Sequence, residues 1–233
     1  MAGTLSEEMI NLYRERFAEW MRLIVRGIRL SDDFGSDCLV WDPRLCRALP
    51  QVEAALQFAT VEKTGIVFMG PKGTGKTTSA VHCALEYLHW RCWQDLLEKG
   101  DLPLPEHALS IWTAPHLFSV LDCIYGKQGE EARAVVRDAK AAKVLVVDDL
   151  GHEAGGKAAV AAFYEIANSR YQKRRPIFVT SNVPPDGWDT REVQGENGQT
   201  IVVPGYKGGE LACIADRWRA QCEWITYTGP SMR

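Results

Sequence analysis

Apolar positions follow two different periods along this chain. Over residues 5–29, Ile10, Tyr13, Phe17, Trp20, Met21, Ile24 and Ile28 recur at the three-and-four spacing of one helical face, and Thr4 with Glu7 supplies a capping box. The polar stretch SDDFGSD ends this amphipathic helix, and a second helical segment is expected over 44–60. Beyond it the pattern changes to short, near-continuous apolar runs: TGIVFMG (64–70), ALSIWT (108–113), KVLVVDD (143–149), PIFVTSN (176–182) and EWITYTG (223–229). Helical sequence fills the intervals, from Lys76 to Leu97, from Pro115 to Ala142 with a break near YGKQG, over 157–173 and over 209–221. Strands that are apolar throughout and alternate with helices predict a five-stranded parallel sheet covered on both faces, a three-layer αβα fold. The stretch 191–209 interrupts this rhythm, and its alternation around ENGQ predicts a β-hairpin insertion.

Composition narrows the class. The 233 residues, 46% hydrophobic and 24% charged, suit one globular core over 61–233 with a short N-terminal helical extension over 1–60. The formal charge of −3 announces no nucleic-acid partner globally, so any DNA contact must come from a local patch. Seven cysteines are scattered without a C-x-x-C pair, which argues against zinc or a disulfide framework and for reduced thiols buried as small apolar groups. The sequence has no apolar run of the ~18 residues a membrane span needs and no signal-peptide pattern at its start. The expectation is a cytoplasmic protein without a membrane partner.

The chemistry begins at residue 70. GPKGTGKTT (Gly70, Pro71, Lys72, Gly73, Thr74, Gly75, Lys76, Thr77, Thr78) fits G-x-x-x-x-G-K-[ST], and it follows a strand and opens a helix. Such a loop folds back so that successive N–H groups face phosphates at a helix N-terminus. Lys76 is expected to reach the β- and γ-phosphates, and the Thr77 hydroxyl to complete a Mg²⁺ shell. KVLVVDDLG then places two acids at the carboxyl end of a buried strand, beside the phosphate loop in a doubly wound sheet. Asp148 is the expected metal-side carboxylate. Asp149, which strand alternation points the other way, is placed to polarise the attacking water. The guanine-reading N-K-x-D is absent, which favours ATP. Asn182 closes VTSN at the end of the fourth strand, either holding the lytic water or γ-phosphate or serving ordinary turn chemistry.

The order GPKGTGKTTSA, WTAPHLFSVL, VLVVDDLG, YEIANSRYQKRRPIFVTSNVPPDGW, IADRW and GPSMR resembles the DnaC/IstB-like ATPases of the AAA+ superfamily, helicase loaders and transposition helper proteins of bacteria and phages. The likeness covers residues 60–233. It implies ATP hydrolysis in head-to-tail oligomers, in a ring or spiral, and binding of single-stranded or duplex DNA. The partner it implies is a replicative helicase or, for a transposition helper, a transposase. By resemblance Asn182 is the sensor-1 residue, and Arg217 in DRW is the finger reaching a neighbouring subunit's ATP. Spacing agrees: on the helix whose stripe is Leu211, Ile214, Ala215, Trp218 and Cys222, Arg217 projects about 120° from the stripe's centre at ~100° per residue. Arg170 in NSRY, at the edge of its own helix's stripe, is the competing finger. Arg233 resembles the end of the family's G-x-S-x-R ending and either reaches the nucleotide in cis or is a frayed terminal residue. No room is left for a separate C-terminal lid domain.

Departures from the family also count. The N-terminal region lacks the cysteine cluster of a zinc domain, and Asp149 stands where many AAA+ proteins have Glu. Lys127, Arg133, Arg137, Lys140 and Lys143 form one basic cluster and Lys173, Arg174 and Arg175 another; each is either a DNA contact or a solvated helix face, since Glu130, Glu131 and Asp138 interleave the first. The N-terminal helix either packs on its own core or docks on a helicase or transposase as an amphipathic helix enters a groove. The expected function is ATP-dependent helicase loading. A transposition helper, a nucleotide-gated adaptor that hydrolyses ATP poorly and a metabolite kinase are the alternatives.

Overall fold

The structure, a computed structural model, describes residues 64–99, 108–127, 129–151, 155–185, 188, 190–194, 200–204 and 210–228, together with Asn11 and Glu15. The expected helices over 5–29 and 44–60 lie outside the described residues, apart from Asn11 and Glu15, and so does Arg233.

Five parallel strands form the sheet: β1 (Gly65–Met69), β2 (Leu109–Thr113), β3 (Val144–Leu150), β4 (Ile177–Ser181) and β7 (Cys222–Thr226), in the order β2-β3-β4-β1-β7. The helices are α1 (Lys76–Lys99), α2 (Ala114–Asp122), α3 (Gly129–Ala141), α4 (Lys157–Gln172) and α5 (Glu210–Gln221). Each expected strand is present, and the helical region between β2 and β3 breaks where expected, at a 3-10 turn over Cys123–Tyr125. Thr113 starts α2, its hydroxyl accepting from the His116 N–H at 3.4 Å. The insertion is a hairpin, β5 (Thr190–Gln194) antiparallel to β6 (Thr200–Pro204).

Alternation along the strands divides the core in two. Val67, Leu145, Val147, Ile177 and Val179 pack with Phe118, Phe163, Ile166, Leu211, Ile214 and Trp218 of α2, α4 and α5. Ile66, Phe68, Val146 and Phe178 are the alternate, equally buried set. α1 packs across β1, β3 and β4, with Tyr87 meeting Phe178 edge-on at 6.4 Å. The last strand is shifted from the expected 223–229. α5 runs to Gln221 and β7 starts at once, because Cys222 ends the helix stripe and is also the strand's first buried position.

β7 lies beside β1, with Gly65 opposite Cys222 and Met69 opposite Thr226. The Tyr227 N–H extends the ladder to the Met69 carbonyl at 2.7 Å, and the Tyr227 hydroxyl lies 2.5 Å from the Ser79 hydroxyl on α1. Gly70 makes this approach possible. Its φ is +139°, and a Cβ there would fall 2.4 Å from the Tyr227 carbonyl oxygen.

Candidate nucleotide site

The phosphate loop joins β1 to α1. Gly75 has φ of +86°, a left-handed turn that glycine takes without strain at the start of α1. The Thr74 hydroxyl braces the loop by donating to the Pro71 carbonyl at 2.9 Å. Pro71, Lys72 and Thr78 are exposed, whereas Lys76 is buried.

The Lys76 ammonium donates to the Pro71 carbonyl and to Asn182 Oδ1, both at 2.7 Å. The Asn182 amide nitrogen in turn donates to Asp149 Oδ1. Asn182 therefore bridges the loop's cation and the second acid of β3. Burial lowers the Lys76 pKa, while Asp149 and Asp148 pull it the other way. Asp148 accepts from the Thr180 hydroxyl at 2.6 Å and from the Thr77 hydroxyl. Burial raises its pKa against the lowering effect of those two hydrogen bonds. The expected constellation of Lys76, Thr77, Asp148, Asp149 and Asn182 is assembled at the carboxyl ends of β1, β3 and β4.

The strand alternation that sends Asp149 to the opposite side from Asp148 is interrupted at Asp149. The cause is a break in the β3–β4 ladder: Val147 pairs with Val179, but the next pairing is Leu150 with Ser181, so β3 carries an extra residue. Asp149 takes up the excess with φ of +60°, in the left-handed region. Thr180, which the sequence reading did not single out, receives the displaced Asp149 N–H at 2.9 Å. Its signal is its place, two residues before Asn182 in VTSN.

Trp188 supports the far side. It is fully buried, its indole N–H is shared between the Ser181 hydroxyl at 3.0 Å and the Val183 carbonyl at 2.9 Å, and its ring stacks on Trp224 and meets Trp218 edge-on.

The two candidate fingers separate. Arg170 is 1% exposed, and its guanidinium donates to the carbonyls of Ala139 at 2.7 Å, Ala142 at 2.9 Å, Lys143 at 3.4 Å and Pro176. It closes the end of α3 inside its own subunit and cannot reach a neighbour, although burial brings its pKa down to about 9. Arg217 is half-buried on α5; it donates to the Cys213 carbonyl at 3.0 Å and the Tyr164 hydroxyl at 2.7 Å, with its guanidinium 5.0 Å over the Tyr164 ring.

Much of the first basic cluster is engaged internally. Arg133 and Arg137 both pair with Glu130 at 3.3 Å, Lys140 with Glu165 at 2.5 Å and Lys143 with Asp95 at 3.8 Å. In the second cluster Arg175 donates to the Lys140 carbonyl. Cys83 and Cys222 are buried, as expected, whereas Cys213 is exposed. Among the described residues no three His, Cys, Asp or Glu side chains gather as a metal cluster, and no helix is long and apolar enough to cross a membrane.

The fold of this chain matches several solved structures. DnaI superposes with a TM-score of 0.52 at 22% identity, over 91% of this chain and 93% of that one. This is the AAA+ fold. Domain III of the Thermotoga maritima replication initiation protein DnaA matches the AAA+ core at TM-score 0.51 and 15% identity, over 86% and 69% of the two chains. Replication initiator DnaA bound to AMPPCP and single-stranded DNA matches at 0.50 and 15%, over 79% of this chain and 46% of that one. No family model and no curated protein matches the chain by sequence.

Proposed function

We propose that this protein is an ATP-hydrolysing helicase loader of the DnaC/IstB-like type, which assembles with ATP and places a replicative helicase on single-stranded DNA. The observation that carries the ATPase reading is the hydrogen-bonded chain from Lys76 through Asn182 to Asp149, beside the Thr77–Asp148 pair. The motif order supports the loader reading. The likeness to a DnaA structure holding AMPPCP and single-stranded DNA supports both ligands.

The residues divide the work. The loop N–H groups and the Lys76 ammonium take the phosphates, which requires Lys76 to leave the Pro71 carbonyl and Asn182. Thr77 and Asp148 are oxygen donors already in contact, a set that fits Mg²⁺. That ion, when bound, neutralises charge on the phosphate oxygens. Asp149 orients and deprotonates the water, and the Asn182 amide, once released from both Lys76 and Asp149, turns its donor to the γ-phosphate. Arg217 swings off Tyr164 to a neighbouring subunit's ATP.

The test is Mg²⁺-dependent ATP turnover and helicase loading on single-stranded DNA, for wild type and Lys76→Ala. Wild-type activity in both assays and its loss in the variant are expected. Turnover and loading unchanged in Lys76→Ala overturn the reading. Capture of a transposase instead of a helicase by the ATP-bound protein redirects it to transposition.

A further inference from the structure

We propose that Thr180 is the positioning residue that sets the two carboxylates of β3, through a single hydroxyl bonded to both acids. The proposal rests on the ATPase reading above and adds a residue to that site.

Two bonds meet on one oxygen. Thr180 Oγ1 donates to Asp148 Oδ1 at 2.6 Å and accepts from the Asp149 backbone N–H at 2.9 Å. A hydroxyl has one proton to give and lone pairs to receive, so it serves an acceptor and a donor at once. No aliphatic side chain can do either. Thr180 is itself 2% exposed, on a β4 strand buried along its whole length, which leaves water little access to replace it.

The second bond explains the backbone. After Val147–Val179 the ladder skips to Leu150–Ser181, and the Asp149 N–H falls in the gap. An N–H left without an acceptor at this half-buried position is costly, and a non-glycine residue at φ of +60° carries strain that its surroundings must hold in place. The Thr180 hydroxyl answers both demands: it takes the orphaned N–H and holds Asp149 in the left-handed turn. That turn brings Asp149 to the Asn182 amide and, through it, to Lys76. The first bond fixes the Asp148 carboxylate facing Thr77, the other proposed Mg²⁺ ligand. One β4 side chain thus aligns the metal-side acid and the water-side acid together.

Thr180→Val keeps the shape and removes the hydroxyl, and Thr180→Ser keeps the hydroxyl and removes the methyl. Three readouts apply: steady-state ATP turnover, Mg²⁺ dependence of binding of a fluorescent ATP analogue, and hydrogen exchange of the Asp149 amide. For Thr180→Val the expected results are a fall in kcat of about 10–100-fold with KM for ATP nearly unchanged, and a Mg²⁺ requirement raised by a similar factor, the range for loss of a group that orients a metal ligand. Asp149 amide exchange accelerates at least tenfold, while the amides of β1 keep wild-type protection. Thr180→Ser recovers all three to within about threefold. Wild-type kcat, Mg²⁺ dependence and exchange in Thr180→Val overturn the proposal. A serine variant as impaired as the valine one also overturns it, because the methyl would then be what matters. If Thr180→Val does not fold, Thr180→Ala read against Thr180→Ser makes the same distinction. A wild type that binds but does not hydrolyse ATP refutes the ATPase reading alone, since Mg²⁺-dependent binding and Asp149 exchange still decide the role of Thr180.

Discussion

Lys76 illustrates how much one side chain can hold in this site. It is buried, and its ammonium is satisfied by a loop carbonyl and by Asn182. Phosphate binding has to replace both bonds. Mg²⁺-ATP at 100 times its Kd adds about 2.7 kcal/mol of stability, which for a chain of this size raises Tm by roughly 5–10 °C. Lys76→Ala is expected to abolish that rise in a thermal melt. Asp148 tests the metal side. Burial holds its pKa above the usual value, so its ionised form is a cost to the folded state that is present above the folded pKa and disappears as pH falls toward the unfolded value. Asp148→Asn removes the charge and keeps an acceptor for Thr180. Its nucleotide-free Tm at pH 7 is therefore expected to equal or exceed that of the wild type, while Mg²⁺-dependent ATP stabilisation disappears. A lower nucleotide-free Tm would contradict this. Arg170 is the converse case, a buried cation whose value is structural. Arg170→Met orphans the carbonyls at the end of α3 and is expected to cost at least about 3 kcal/mol in urea denaturation, at 1–3 kcal/mol per unsatisfied group. Spacing alone places Arg170 at a stripe's edge and leaves its role open. Its role is set by where α3 ends, 28–31 residues earlier in the chain.

At the scale of elements, the ends of strands carry the function. β1 and β7 are joined so closely at Gly70 that no side chain fits there. Gly70→Ala meets both a forbidden φ and the Tyr227 carbonyl, and a loss of at least about 2 kcal/mol of stability in chemical denaturation is expected. The closeness of β7 to the loop follows from the sheet order; the closeness of Asp149 to Asn182 does not. A strand's two-residue period puts Asp148 and Asp149 on opposite sides, and the extra residue in β3, stabilised from β4, breaks that period where Asp149 meets Asn182 and, through it, Lys76. α5 presents the remaining element-scale question. Arg217 rests on Tyr164 of α4 within its own subunit. If it acts in trans, Arg217→Ala and Asp149→Asn are each inactive alone. An equal mixture then recovers about a quarter of wild-type turnover, because one interface in four pairs an intact acid with an intact arginine. A mixture with no recovered activity refutes the trans role.

At the scale of the whole molecule the chain carries a formal charge of −3, and the first basic cluster of its described core is largely tied up in ion pairs on α3 and α4. A single subunit has few cations left for phosphates there, so DNA affinity should depend on assembly. Wild-type protein with ATP is expected to sediment as an oligomer and to bind single-stranded DNA with an affinity that falls steeply as salt rises. Lys76→Ala is expected to bind at least tenfold more weakly at the same protein concentration, by fluorescence anisotropy. Equal DNA affinity in the two proteins would mean that each subunit binds DNA without assembling.

Local chemistry and spacing were enough for the phosphate loop, the strand–helix alternation, the acids at the end of β3 and the hairpin, because each depends on neighbours in sequence. A glycine-rich turn before a helix, an apolar run before two aspartates and an alternating pair of segments mean much the same in any context. Tertiary structure alone decided three things. It buried Arg170 against carbonyls from two separate stretches of chain, the end of α3 and Pro176. It settled Arg217 on an aromatic ring 53 residues away. It broke the period of β3 at Asp149, where that residue's N–H donates to a hydroxyl on the next strand, 31 residues further along. In each case the deciding partner is a polar group brought near by folding, and such a group leaves no mark on local hydrophobic period or spacing.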